Sequence, residues 1–119
     1  MKIKLILLIV IFFSLETNAQ IATSIFSNDT RDNNYLPKDR NSGIYFDFKT
    51  NLTDGLADTN TYHGVMTFRP YGYSTDFSGG LAHQLAFTDG GNMWLRSGSS
   101  ATWSSWTKIY SDKNLSHFI

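Results

Sequence analysis

The side chains with most chemical scope are large, flat and few: Trp94, Trp103 and Trp106, joined by Tyr71, Tyr73 and the cation Arg96. Trp103 and Trp106 stand three apart beside the small-residue stretch 97–102, and rings so placed can stack on sugar rings. The same three tryptophans can equally act as clamps that take the place of disulfides, because burying a ring stabilises a small domain. Trp103 follows the loop directly and is the expected open platform. Trp106 opens an alternating stretch and is expected to belong to the packed framework. Arg96 can meet an anionic ligand or lie across a neighbouring Trp face. Tyr71 and Tyr73, in the glycine-rich and aromatic stretch 71–80, complete a candidate ligand-binding set of Trp103, Trp94, Arg96, Tyr71 and Tyr73.

Catalytic and metal chemistry find less support. His63, His83 and His117 stand in no spacing that defines a metal site, and the chain has no cysteine to join them. No metal ligand and no cofactor is assigned. A hydrolase acting on polysaccharide needs two placed carboxylates within about 10 Å across a cleft, or a nucleophile beside a base. Asp29, Asp32, Asp39, Asp54, Asp58, Asp76, Asp89 and Asp112 are scattered through loops instead, where Asp is an ordinary turn former. Ser78-Gly79-Gly80 and Gly98-Ser99-Ser100 lack the strand, elbow and helix that expose a serine nucleophile. The set of catalytic residues is therefore empty.

These side chains must be positioned by short strands. Residues 44–49 alternate, with Ile44, Phe46 and Phe48 on one face and Tyr45, Asp47 and Lys49 on the other, as in a half-buried strand. A second strand is expected from Tyr62 to Arg69, closed by Pro70. From Leu81 to Thr88 the alternation returns, with His83 on the Leu81, Leu85 and Phe87 face as a hydrogen-bonded, half-buried residue. Asp89-Gly90-Gly91-Asn92 separates that run from Met93–Arg96 and forms the best hairpin signal, with Gly90 and Gly91 expected to supply positive φ. Residues 97–102 read as a loop and Trp106–Tyr110 as the last strand. Residues 20–43 and 50–61 are rich in turn chemistry and read as irregular. No part of the mature chain sustains a helical period. The expected fold is all-β: a small antiparallel sandwich or knob-like domain with long loops, over residues 44–119.

The first residues follow another grammar. Lys2 and Lys4 precede an apolar run from Leu5 to Leu15 broken only by Ser14, then a polar stretch ending in Ala19. That is the pattern of a secretory signal peptide over residues 1–19, with a cut expected before Gln20. A spanning helix needs roughly 20 apolar residues, about twice this run, so no membrane span is expected in the mature chain. Without a cysteine there is no lipid anchor. Loss of Lys2, Lys4 and Glu16 turns a balanced charge slightly acidic, which gives no footing for nucleic acid. The product is expected outside the cytoplasm, secreted, at the cell surface or in the periplasm. Its stability must come from seven Phe, six Tyr and three Trp, from metal, or from other chains.

A family resemblance lies in the segment from His83 to Tyr110. Gln84-Leu85-Ala86-Phe87, Asp89-Gly90-Gly91-Asn92, Trp94-Leu95-Arg96-Ser97-Gly98 and Trp103-Ser-Ser-Trp106-Thr-Lys-Ile-Tyr110 together resemble the pyocin-knob module of phage tail fibres and R-type pyocin fibres. Met66–Pro70 and Asp76–Gly80 are loosely similar to fibre-like proteins of Bacteroidetes, and the Asn-Ala-Gln at the expected cut resembles signal peptides of those bacteria. The resemblance implies a β-rich knob presented for surface attachment, commonly on a homotrimer. Fibre relatives usually continue into shaft, coiled-coil or chaperone sequence, whereas this chain stops at Ile119. The expectation is an exported, non-enzymatic, adhesin-like module that binds a surface glycan. Its rivals are a purely structural knob or spacer of a trimeric fibre and a small secreted polysaccharide-acting enzyme.

Overall fold

The computed structural model describes residues 24–110, so the expected signal peptide, its cut site, Asp112 and His117 lie outside the described residues. The fold is all-β. Strands β1 (Asn28–Asp29), β2 (Gly43–Thr50), β3 (Tyr62–Arg69), β4 (Ala82–Thr88), β5 (Met93–Ser99), β6 (Thr102–Trp103) and β7 (Thr107–Ile109) form one sheet. The order is β1-β2-β3-β4-β5-β6, and β7 pairs with β5 beside β6. β2 to β5 make an antiparallel meander, while β1 joins β2 in parallel. Among the described residues there is a single sheet, so the second layer of the expected sandwich is absent. One helical turn, α1 (Asn51–Asp54), and a 3-10 turn at Pro37–Asp39 are the helical pieces described. No helix among the described residues is long and apolar enough to cross a membrane.

The local chemistry explains the elements. Thr50 caps α1 by accepting from the Leu52 N–H, and Gly55 closes it in the left-handed region with its N–H on the Asn51 carbonyl. Asp89–Asn92 closes the β4–β5 hairpin, where the Thr88 N–H donates to the Asn92 carbonyl. Gly91 alone of the two turn glycines takes a positive φ, 76°. Gly90 is instead needed for space, since a Cβ there would stand 2.7 Å from Thr59 Oγ1. The stretch 97–102 is also more ordered than expected. β5 runs through Ser99, and β6 returns along it, with Gly98 opposite Trp103.

The main departure is in which face is covered. A half-buried strand ordinarily turns its apolar set inward. Here β2 buries Asp47 and Lys49 and leaves Ile44 58 % exposed. Register carries the inversion across the sheet: Tyr45, Thr67, Gln84 and Arg96 form one covered row, and Asp47, Val65, Ala86 and Trp94 the next. The opposite rows run Phe46, Met66, Leu85, Leu95 and Phe48, Gly64, Phe87, Met93. His83, on this second face, is half-buried and bonded through Nδ1 to Ser97 Oγ at 2.7 Å, as expected.

The cover explains the polarity beneath it. Residues 30–40 and 51–58 and the turn around Trp103 lie over the sheet as mostly irregular chain. Irregular backbone leaves carbonyls without ladder partners, and buried carbonyls need donors. The sheet supplies them. Lys49 Nζ donates to the carbonyls of Thr30 and Asn33, and Arg96 Nη1 to that of Asp54 at 3.0 Å. Arg40 bridges back to Asp47 at 2.9 Å, and Thr30 Oγ1 donates to the same carboxylate. Of the segment 20–43, read from sequence as irregular, Asn28–Asp29 join the sheet as β1 and residues 30–40 form part of its cover. The buried apolar cluster is small: Leu56, Val65 and Ala86, with Trp94 and Trp106 packed against it.

Candidate functional site

The five candidate ligand-binding residues fall into two separate places. Trp94, Arg96 and Trp103 gather with Trp106 at the cover, where Trp94, Arg96 and Trp106 line a depression of about 320 Å³. Arg96 is buried, its Nε donating to Gln84 Oε1 at 2.7 Å. Its guanidinium sits 4.9 Å from the Trp103 ring centroid and 4.3 Å from that of Trp106, so both rings sandwich the cation. Burial draws the Arg96 pKa down to about 10, against the pull of Asp54 in the other direction. Each indole N–H is also engaged. Trp103 donates to the Tyr35 carbonyl at 2.8 Å, Trp106 to the Asp54 carbonyl at 2.9 Å, and Trp94 to Asp58 Oδ2 at 2.6 Å. Trp103 and Trp106 are alike half-buried, but of the two only Trp106 packs against the Leu56, Val65 and Ala86 cluster, as expected of a framework residue.

Two aspartates that spacing did not single out organise this cluster. Asp54, at the end of α1, accepts from Arg96 and Trp106 through its carbonyl and shares a 2.5 Å hydrogen bond with His63 Nε2 through its carboxylate. Asp58 gathers Trp94, Thr88 and the Thr59 N–H. Burial works against its charge, yet those donors and Asn92 hold its carboxyl down to about 2. The sequence signal available was weak: both residues lie in a polar loop, where Asp ordinarily reads as a turn former.

Tyr71 and Tyr73 lie elsewhere and are open, at 54 % and 70 % exposure. They line a depression of about 430 Å³ together with Asn41, Ser42, Gly72 and Asp76. The loop beneath is held from inside by Arg69, which is fully buried. Its guanidinium donates to the carbonyls of Tyr71 at 3.1 Å, Arg40 at 2.7 Å and Asp76 at 2.7 Å, and stacks 4.0 Å from the Phe77 ring centroid. The Ser42 N–H adds a bond to the Gly72 carbonyl at 2.8 Å. Ser74 is held at φ 51°, a conformation costly outside glycine. Ser78 donates twice to Asp76 Oδ1, from its hydroxyl and its N–H, and these bonds hold the Asp76 carboxyl below the usual range.

A third depression, of about 380 Å³, brings Asp29 and Asp32 near Thr50 and Tyr62. Arg31 clasps Asp29 through two 2.8 Å bonds and keeps its carboxyl ionised at lower pH than usual. No family model, curated protein or solved structure matches the chain. The tyrosine depression therefore stands on its own geometry: two open aromatic faces, an amide, a hydroxyl and a charged carboxylate on a braced loop.

Proposed function

We propose that the chain is an exported, non-enzymatic attachment module that holds surface glycans through the Tyr71–Tyr73 loop. The observation that carries this reading is the pair of open tyrosine rings on a loop fixed from beneath by Arg69. A sugar offers an apolar C–H face and a rim of hydroxyls. Tyr71 and Tyr73 suit the face, while Asn41, Ser42 and Asp76 suit the rim. A loop already fixed in shape loses little entropy on binding, which favours affinity from a small contact. The Asp29–Asp32 depression gives a hydrolytic reading less support, because Arg31 already occupies Asp29. A glycan array tests the proposal. The wild-type protein should bind a defined subset of glycans, and Tyr71→Ala and Tyr73→Ala should each lower retention at least tenfold with unchanged melting. Retention that survives both substitutions would remove the loop from the proposal.

A second reading, a structural knob or spacer, is favoured by one observation. All three tryptophan N–H groups are spent on internal acceptors, which supports rings that brace the fold. Array silence of a correctly folded protein would make this reading the better one.

A further inference from the structure

We infer that the open face of the sheet is a self-association surface, which packs against the same face of a second copy about a two-fold axis. On β3, β4, β5, β7 and β2 this face presents Phe68, Phe87, Met93, Leu95, Ile109 and Ile44, each between 36 % and 58 % exposed. Phe46, Met66 and Leu85 fill the space between them as half-buried neighbours in register. Together they leave on the order of 600–800 Å² of mainly apolar surface. That is at or above the largest patch of a typical monomer and close to the roughly 800 Å² each partner gives a standard interface.

The charge pattern identifies the occupant. Every Asp, Lys and Arg on β2 to β5 and β7 (Asp47, Lys49, Arg69, Arg96, Lys108) stands on the covered positions. The open positions of those strands carry none. A face without charge meets its own copy with no like-charge repulsion, whereas it offers a charged partner nothing to read. At the β1 edge, Arg31 and Asp29 neutralise each other at 2.8 Å, and the Arg31 guanidinium lies 5.2 Å from the Phe48 ring centroid. That gives an apolar centre and a polar rim, the ordinary anatomy of an interface. Two such sheets stacked face to face would sit about 10 Å apart and complete a sandwich from two chains. Residues 111–119 hold Leu115, Phe118 and Ile119 as their apolar side chains, few for a face this wide.

The test is the mass in solution of the protein exported from cells carrying the whole gene, measured across a hundredfold range of concentration. A dimer is expected at micromolar concentration. Phe68→Lys with Leu95→Lys should weaken dimerisation at least a hundredfold and keep the β-sheet circular dichroism. An unmutated readout runs in parallel: peroxide oxidation of Met93 should slow at least fivefold above the dimerisation midpoint. A monomer at all concentrations overturns the proposal, whether Met93 stays open or is shielded by residues 1–23 or 111–119. A threefold mass overturns the two-fold pairing. A dimer untouched by the lysines places the interface elsewhere, and a monomer that instead sediments with phosphatidylcholine vesicles assigns the face to lipid.

Discussion

Trp103 and Trp106 were distinguishable in the sequence by position, one beside a loop and one opening a strand. Folding narrows the distinction to the contact of Trp106 with the apolar cluster. Both rings clasp Arg96, and both N–H groups reach carbonyls of the cover. Truncating either should therefore expose a buried cation, and truncating Trp103 also removes the donor to the Tyr35 carbonyl, whereas the Asp54 carbonyl loses Trp106 but keeps Arg96. Trp103→Ala and Trp106→Ala are each expected to cost about 3 kcal/mol in chemical denaturation, the low end for a buried ring because both are partly open. A Trp103→Ala protein with wild-type stability would return that ring to the role of a platform. Asp58 gives a prediction in pH. Its folded pKa of about 2 lies below the ordinary 3.8. The stability it contributes is thus present above about pH 4 and is lost as pH falls towards 2. Asp58→Asn should melt lower than wild type at pH 5, and the gap should close as both are titrated to pH 2. A gap that is constant with pH would mean that the carboxylate charge does not matter.

Strand existence was legible at the next scale, because a period of two survives whatever lies on either side. β2, β3 and β4 and the Asp89–Asn92 turn sit where alternation and turn chemistry put them. The covered side was not legible. Alternation sorts Ile44, Phe46 and Phe48 from Tyr45, Asp47 and Lys49, but a local pattern does not say what packs against either set. The answer came from residues 30–40, whose carbonyls take up Lys49 and Trp103 over long sequence separations. The tyrosine loop was legible as aromatic and glycine-rich. Its bracing was not, since Arg69 acts on carbonyls that no residue type announces. Two glycines test the element geometry. Gly91→Val forces a branched side chain to φ 76° and should cost about 1–3 kcal/mol. Gly98→Val should cost more, because a Cβ there would lie 2.3 Å from the Thr102 carbonyl oxygen and 3.0 Å from Pro37 Cγ. Equal melting of both variants would contradict that ranking.

As a whole the molecule reverses the usual division of a small domain, in which apolar packing faces inward and charge faces water. The enclosed side is held by hydrogen bonds from Lys49, Arg69 and Arg96 to backbone oxygens around a cluster of three aliphatic residues. Such bonds fix one arrangement well, since each donor fits its own carbonyl, but their net gain over water is modest. Among the described residues, many of the large apolar side chains that could add stability stand on the other face. A chain with no cysteine and so small a sealed cluster gains most from covering that face, which is why the melting temperature should rise with protein concentration as the proposed dimer forms.

The cover also bears on the order of events during synthesis. Its first half is translated before any strand of the meander, yet it is pinned by residues that come last. The Trp103 N–H reaches the Tyr35 carbonyl across 68 positions, and the Lys38 N–H reaches the Ser100 carbonyl. The early segment has no complete docking surface until β5 and β6 have left the ribosome. A nascent chain stopped short of that point already has the Lys49, Asp47 and Arg69 partners of residues 30–40 but lacks the anchors at Ser100 and Trp103. Closure of the cover therefore waits for the segment that carries Ser100 and Trp103.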